Sequence, residues 1–167
     1  MKYVVMGVSG CGKSAIGAGF ADAIDGIFID GDDLHPASNI AKMAAGTPLT
    51  DEDRAPWLHD VGQTLAAHNG DVVIGCSALK RAYRDMIRQN AGGPVMFMHL
   101  HGDKAVIAKR MSEREGHFMP SALLDSQFAT LELPQVDEDA ITVDIDQTPS
   151  DIISELLANR IQKAPPK

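Results

Sequence analysis

An α/β fold built on a parallel sheet is predicted by two observations: five short β-rich runs alternate with longer helical patterns, and the first run leads straight into a Gly-rich loop that opens a helix. Length points to one domain over residues 1–167, because folding at this size hides roughly 70% of the surface the extended chain would expose. A hydrophobic content of 44% with ordinary charge excludes a largely disordered chain.

The elements follow in order. Residues 3–6 form the first strand, and a helix is expected over 13–23. A second strand at 27–30 precedes a short helix over 36–45 that Gly46 terminates, with a break at Thr47-Pro48. Asp53 is the expected N-cap of the next helix, since Pro56 then falls in the first turn, where a missing N–H costs little. That helix runs to about His68 and stops at Asn69-Gly70. The run 72–76 is apolar without alternation, as a central strand covered on both faces should be. Ser77 is the expected cap of a helix over 78–90 that Gly92-Gly93-Pro94 ends. A strand at 95–100, helices at 104–114 and 121–131, a strand at 141–145 and a helix capped by Ser150 complete the pattern, followed by a frayed tail.

Composition narrows the function. Fifteen Lys and Arg against 23 Asp and Glu leave a net charge of −8, which would repel a nucleic-acid backbone. The opening apolar run is too short for a signal-peptide core or a membrane span. Two cysteines, Cys11 and Cys76, provide neither zinc spacing nor a disulfide framework; the expectation is a cytoplasmic protein. A redox pair between them would require their strands to be neighbours.

The strongest signal is Gly7-Val8-Ser9-Gly10-Cys11-Gly12-Lys13-Ser14, which fits G-x-x-x-x-G-K-[ST] between a strand and a helix. Glycines let the backbone wrap phosphate oxygens, and the first helical N–H groups, aligned with the helix dipole, point at the anion. Gly7 to Ser14, with Ala15 next along the helix, are therefore the nucleotide-binding candidates. Lys13 is expected at the β- and γ-phosphates and Ser14 on Mg²⁺. A dinucleotide fingerprint fails on spacing, because Gly10-Cys11-Gly12 is followed by Lys13-Ser14-Ala15. The D-x-x-G and N-K-x-D segments of a GTPase are absent from the sequence, and the third strand ends in Gly75-Cys76-Ser77 rather than an acid.

The acid comes instead after the second strand, in Asp30-Gly31-Asp32-Asp33-Leu34-His35-Pro36. Asp30 is placed to hold the metal through water, and Asp32 to accept a proton from an attacking hydroxyl; a solvated acidic turn is the plainer alternative. Arg54 and Trp57 share one side of a helical turn. Arg54 suits a carboxylate, while Trp57 reads equally as a core anchor or a pocket wall. On the helix after the third strand, Arg81 and Arg88 read as a solvated face, whereas Lys80 and Arg84 stand evenly between that face and the ligand crevice. Arg110 and Arg114 precede a Gly- and Pro-containing segment, so a lid over about 110–121 is expected, its arginines neutralising charge at the γ-phosphate. His99 and His101 lack a third ligand and read as structural.

These blocks together resemble the short, P-loop type of gluconokinase, the thermoresistant gluconokinase family. The resemblance rests on Gly7 to Ser14, Asp30 to Pro36, Pro48 to Leu58, Cys76 to Asp85, Gly116-His117-Phe118, Ser126 to Glu132 and Val143 to Gln147, all in the family order. It implies ATP-dependent phosphorylation of D-gluconate at its C6 hydroxyl, and a P-loop small-kinase fold with parallel strand order 2-3-1-4-5. By the same resemblance members are commonly homodimers, and adenine lies between Arg110 and the loop carrying Gln147 and Pro149. His35, Arg54, Trp57, Lys80, Arg84, His117 and Gln127 are assigned with Asp32 to the substrate, Arg54 and Arg84 leading for its carboxylate. Lys13, Asp32 and Arg114 are the catalytic candidates. The sequence departs from many relatives at Cys11, where they carry Ser. The rival readings are a kinase for another small hydroxy acid such as shikimate, and a non-catalytic ATP-binding regulator that would have no use for Asp32.

Overall fold

Alternation along the first strand decides the layering. In the computed structural model, which describes residues 1–114 and 121–163, β1 (Lys2–Met6) sends Tyr3 and Val5 to one face of the sheet and Val4 and Met6 to the other, and all four are fully buried. It lies at the centre of a five-stranded parallel sheet with β2 (Ile27–Asp30), β3 (Val72–Gly75), β4 (Val95–His101) and β5 (Ala140–Asp144), in the order β2-β3-β1-β4-β5. The strand order implied by the resemblance is the one observed. The unalternating β3 is buried throughout, as a strand covered on both faces must be.

One face carries α1 (Lys13–Ala23) and α7 (Pro149–Lys163), with Phe20, Ile152 and Leu156 packed on Tyr3 and Val5. The other carries α3 (Asp51–Ala67) and α4 (Arg81–Ala91), where Leu58, Val61, Leu65 and Ile87 meet Val4, Ile74 and Phe97. Between them in sequence lie α2 (Ala37–Ala44), α5 (Lys104–Ser112) and α6 (Ser121–Thr130). Cys11 and Cys76 belong to opposite faces, although β1 and β3 are neighbours. Burial raises both thiols, Cys76 to about 12, so neither is a thiolate at neutral pH.

Three helix starts differ from expectation. Thr50, not Asp53, caps α3: its Oγ1 accepts from Asp53 N–H at 3.1 Å while Asp53 Oδ2 accepts from Thr50 N–H at 2.9 Å, a reciprocal box. Pro56 is thereby the sixth helical residue, beyond the first turn, and leaves Glu52's carbonyl without its usual donor. The fourth helix begins at Arg81 rather than Ala78, because Ala78 adopts φ 43° and residues 77–80 are drawn into tertiary hydrogen bonds instead of a cap. Thr148, not Ser150, caps α7, accepting from Asp151 N–H at 3.2 Å with Pro149 as the first helical residue.

Candidate functional site

The carboxyl ends of β1, β2 and β3 converge on one crevice, where open parallel sheets place ligands. The loop after β1 needs its glycines: Gly10 and Gly12 adopt φ 80° and 96°, a region L side chains rarely enter. Gly12 caps α1 with no side-chain bond, so the first N–H groups of that helix remain for an anion. Lys13 Nζ donates to the carbonyls of Gly7 and Val8, both at 3.1 Å, which keeps its charge within the loop. Gly7 N–H donates to Ser77 C=O at 3.3 Å, tying the loop to the end of β3.

The acidic turn stands beside it. Asp30 closes β2 and caps a 3₁₀ turn over Gly31–Leu34, its Oδ1 accepting from Asp32 N–H at 3.0 Å. Its Oδ2 accepts from Ser14 Oγ at 3.3 Å. Hydroxyl and carboxylate oxygens brought together in this way are a donor set that fits Mg²⁺, which takes few protein ligands besides phosphate and water. Asp32 is exposed at the crevice, yet partial desolvation, and then the charge of Asp30, raises its carboxyl above the usual range; Lys13 and His35 oppose the rise. A base tuned toward neutrality is the form proton abstraction requires.

Gly31 lets this turn form. A Cβ there would lie 2.2 Å from the carbonyl oxygen of Gly75, a backbone atom that cannot swing aside. Gly31→Ala is therefore expected to shift Asp30 and Asp32 and to cost about 1–3 kcal/mol of stability. Denaturant unfolding together with turnover checks it, with loss of both expected.

His35 and Trp57 stack, ring centroids 4.0 Å apart at 15°, and Trp57 Nε1 donates to Gly31 C=O at 2.7 Å. Trp57 is thus a buried anchor that also supports the crevice wall through His35. Asn39 Nδ2 donates to Asp53 C=O at 2.9 Å and lies 3.2 Å from His35 Nδ1. The carbonyl can only accept, which fixes the amide orientation and makes Nδ1 the acceptor, leaving His35 Nε2–H free to donate. Burial lowers the His35 pKa, keeping the ring neutral.

Arg54 is held by Leu49 C=O at 2.7 Å, and Lys80 Nζ reaches Asp51 Oδ2 at 3.1 Å. Tyr83 also donates to Asp51. Asp51, Tyr83 and Asn39 carried no signal of their own in the sequence, because their partners are remote or locally unpatterned.

Arg84, expected at the substrate carboxylate, is elsewhere. It is fully buried, bidentate on Glu138 at 2.7 and 2.8 Å, and donates to the carbonyls of Ala78 and Leu79 at 3.1 and 3.2 Å. A guanidinium so committed holds the 77–80 loop rather than a ligand. Arg81 pairs with Asp137, and Arg88, expected on a solvated face, is partly buried against Glu138. Gln127 differs too: it is joined to the phosphate loop, its Oε1 accepting from Ser9 N–H at 2.6 Å and its Nε2 donating to Ser9 Oγ at 3.0 Å.

Arg110 donates to the carbonyls of Ile145 and Gln147, which brings it to the loop preceding Pro149. Arg114 is exposed just beyond α5. His117 and the rest of residues 115–120 of the expected lid lie outside the described residues. His99 is buried with Nδ1 unpartnered, and no group of three His, Cys, Asp or Glu suited to a metal occurs among the described residues.

A family model described as an AAA domain matches residues 3–134. The thermosensitive gluconokinase of Escherichia coli K12 is 52% identical over 149 residues, covering 86% of this chain and 79% of that protein. The crystal structure of a gluconokinase from Sinorhizobium meliloti 1021 superposes with a TM-score of 0.90 at 50% identity, covering 96% of this chain and 91% of that one. Shikimate kinase from Aquifex aeolicus vf5 matches at a TM-score of 0.63 and 12% identity, over 97% of each chain, and shares the fold alone.

Proposed function

The chain belongs to the gluconokinase family and catalyses ATP-dependent phosphorylation of gluconate; we propose that the phosphoryl group is delivered to the C6 hydroxyl of D-gluconate, giving 6-phospho-D-gluconate and ADP, with Asp32 accepting the hydroxyl proton. The observation that carries this reading is Asp32 itself, a carboxylate with raised pKa on the turn that also bears Asp30, close enough to feel the Lys13 charge.

In this reading the residues of the phosphate loop, from Gly7 to Ala15, bind ATP, with Lys13 neutralising its phosphates. Ser14 and Asp30 would hold Mg²⁺, which supplies further charge neutralisation when bound. Arg110 and the loop carrying Gln147 and Pro149 flank adenine, while Arg114 adds positive charge beside the transferring group. His35 donates from Nε2 to a substrate hydroxyl, and Arg54 and Lys80 receive the carboxylate. Gln127 acts through Ser9 on the shape of the phosphate loop. Transfer is in line, so most of the catalysis is positioning and charge neutralisation.

No helix among the described residues is long and apolar enough to cross a membrane. The free, buried cysteines support a cytoplasmic location, and the family resemblance supports a homodimer, which sedimentation would test.

ADP release by the purified protein with Mg²⁺-ATP tests the function, comparing gluconate, shikimate, glucose, a nucleoside monophosphate and no acceptor. Release stimulated by gluconate alone, with the product mass and position of 6-phosphogluconate, is expected. A gluconate rate equal to the no-acceptor rate would leave only a nucleotide-binding P-loop protein.

A further inference from the structure

Two hydrogen-bond donors, from α4 and the loop before it, and a cation on α3 converge on one exposed carboxylate. Lys80 Nζ lies 3.1 and 3.3 Å from the two oxygens of Asp51, the Tyr83 hydroxyl donates to Oδ1, and the Arg54 guanidinium is 3.8 Å away. Both cations also flank the Tyr83 ring, at 5.4 and 5.7 Å from its centroid. The Asp51 side chain is 56% exposed, and α3 does not need it as a cap, since Thr50 and Asp53 complete the box and Glu52 and Asp53 supply first-turn charge.

The residues that carry these groups are anchored independently of Asp51. Arg54 is pinned by Leu49 C=O, Tyr83 is almost wholly buried, and Lys80 ends the loop that Arg84 and Glu138 brace. They also belong to the crevice wall: the charge of Arg54 bears on His35, and His35 bears on Asp32. A preset pair of cations and a phenol, joined to the acidic turn by one polar run, is a receptor for a carboxylate. Asp51 is the carboxylate of the chain that now sits in it.

Resting on the gluconate reading above, we infer that Asp51 is an internal competitor for the substrate-carboxylate subsite formed by Arg54, Lys80 and Tyr83, with Tyr83 as the third donor to the bound carboxylate. Gluconate displaces Asp51 toward solvent, exchanging one carboxylate for another at donors that stay in place. Part of the binding energy is spent on the exchange, and a substrate without a negative charge has nothing to exchange. Asp51 thereby sets both the affinity and the selectivity for an acid.

The test is initial-rate kinetics of the full chain and of Asp51→Asn, Tyr83→Phe and the double variant, with D-gluconate as substrate and its neutral amide, D-gluconamide, as substrate or inhibitor. Asp51→Asn is expected to lower KM for gluconate by about 1.5- to fivefold, the scale of exposed ion pairs, with kcat unchanged and no shift for gluconamide. Tyr83→Phe is expected to raise KM for gluconate with kcat unchanged, and to do so in the Asp51→Asn background as well. An unchanged or raised KM in Asp51→Asn, or an equal shift for gluconamide, would make Asp51 a brace and overturn the inference. A Tyr83→Phe effect that vanishes when Asp51 is already replaced would show that Tyr83 serves only Asp51, with the same consequence. Absence of gluconate turnover in the unaltered protein would instead overturn the reading on which the inference rests.

Discussion

Asp32→Asn is expected to reduce kcat with gluconate by about 10²- to 10⁴-fold while ATP affinity is retained, because it removes the proton acceptor and leaves the phosphate loop untouched. The pKa of Asp32 is raised by partial desolvation and by Asp30, so the ionised, basic form is lost on acidification sooner than an ordinary aspartate would lose it. Activity should therefore fall as pH drops through that elevated pKa, and the acid limb should vanish from the residual rate of Asp32→Asn. Stability runs the other way. A carboxyl whose folded pKa is raised disfavours the folded state above that pKa, so the Asn variant should melt no lower than the original. Rapid-quench turnover, nucleotide titration and a thermal melt separate these outcomes. Retained turnover with an unaltered acid limb would reduce Asp32 to a solvated turn residue.

The second large effect lies out of the crevice. Glu138→Ala is expected to cost about 3–5 kcal/mol, because it strands the fully buried Arg84 guanidinium without its counter-charge. Glu138 accepts from Arg84 Nε and NH2 and from Arg88 NH2 at 3.1 Å, and from Gln135 N–H at 3.1 Å. Those bonds, the Arg84 pairing foremost, hold its pKa at about 2 against an ordinary 4.5. A depressed carboxylate pKa contributes stability that is complete above about pH 4.5 and is lost as pH falls toward 2. The shift corresponds to about 3 kcal/mol, in keeping with the cost of breaking the pair. Urea unfolding at neutral pH and along an acid series checks both statements. A variant whose acid-series loss matched that of the unaltered protein would assign the acid sensitivity to other carboxylates.

Glu138 also explains why the fourth helix starts late. Ser77 followed by a helical pattern is an ordinary cap signal. The bonds that override it come from far along the chain: Arg84 donates to the carbonyls of Ala78 and Leu79, Glu132 N–H donates to Leu79 C=O at 2.8 Å, and the Glu132 carboxylate accepts from Arg81 N–H. Residues 77–80 thus form a loop instead of a helical turn, presenting Ser77 to the phosphate loop and Lys80 to the carboxylate cluster. Arg84 carried a basic-stripe signal indistinguishable from that of Lys80, four residues earlier. Their opposite fates follow from one distant acid, Glu138, taking the first, while Asp51 engages the second.

The phosphate loop, the acidic turn and the layer architecture were determined by the sequence alone, for a local reason. Gly10 and Gly12 meet a backbone requirement, Lys13 and Ser14 follow at fixed spacing, and the period-two burial of Tyr3, Val4, Val5 and Met6 is set by strand geometry. The block pattern shared with gluconokinases added the reaction. Only the tertiary structure decided which charged side chains face the crevice, which brace it and which face each other. A guanidinium is drawn to whichever carboxylate the fold brings within reach, and partners 29 residues apart, as for Lys80 and Asp51, or 54 apart, as for Arg84 and Glu138, leave no periodic trace in the chain.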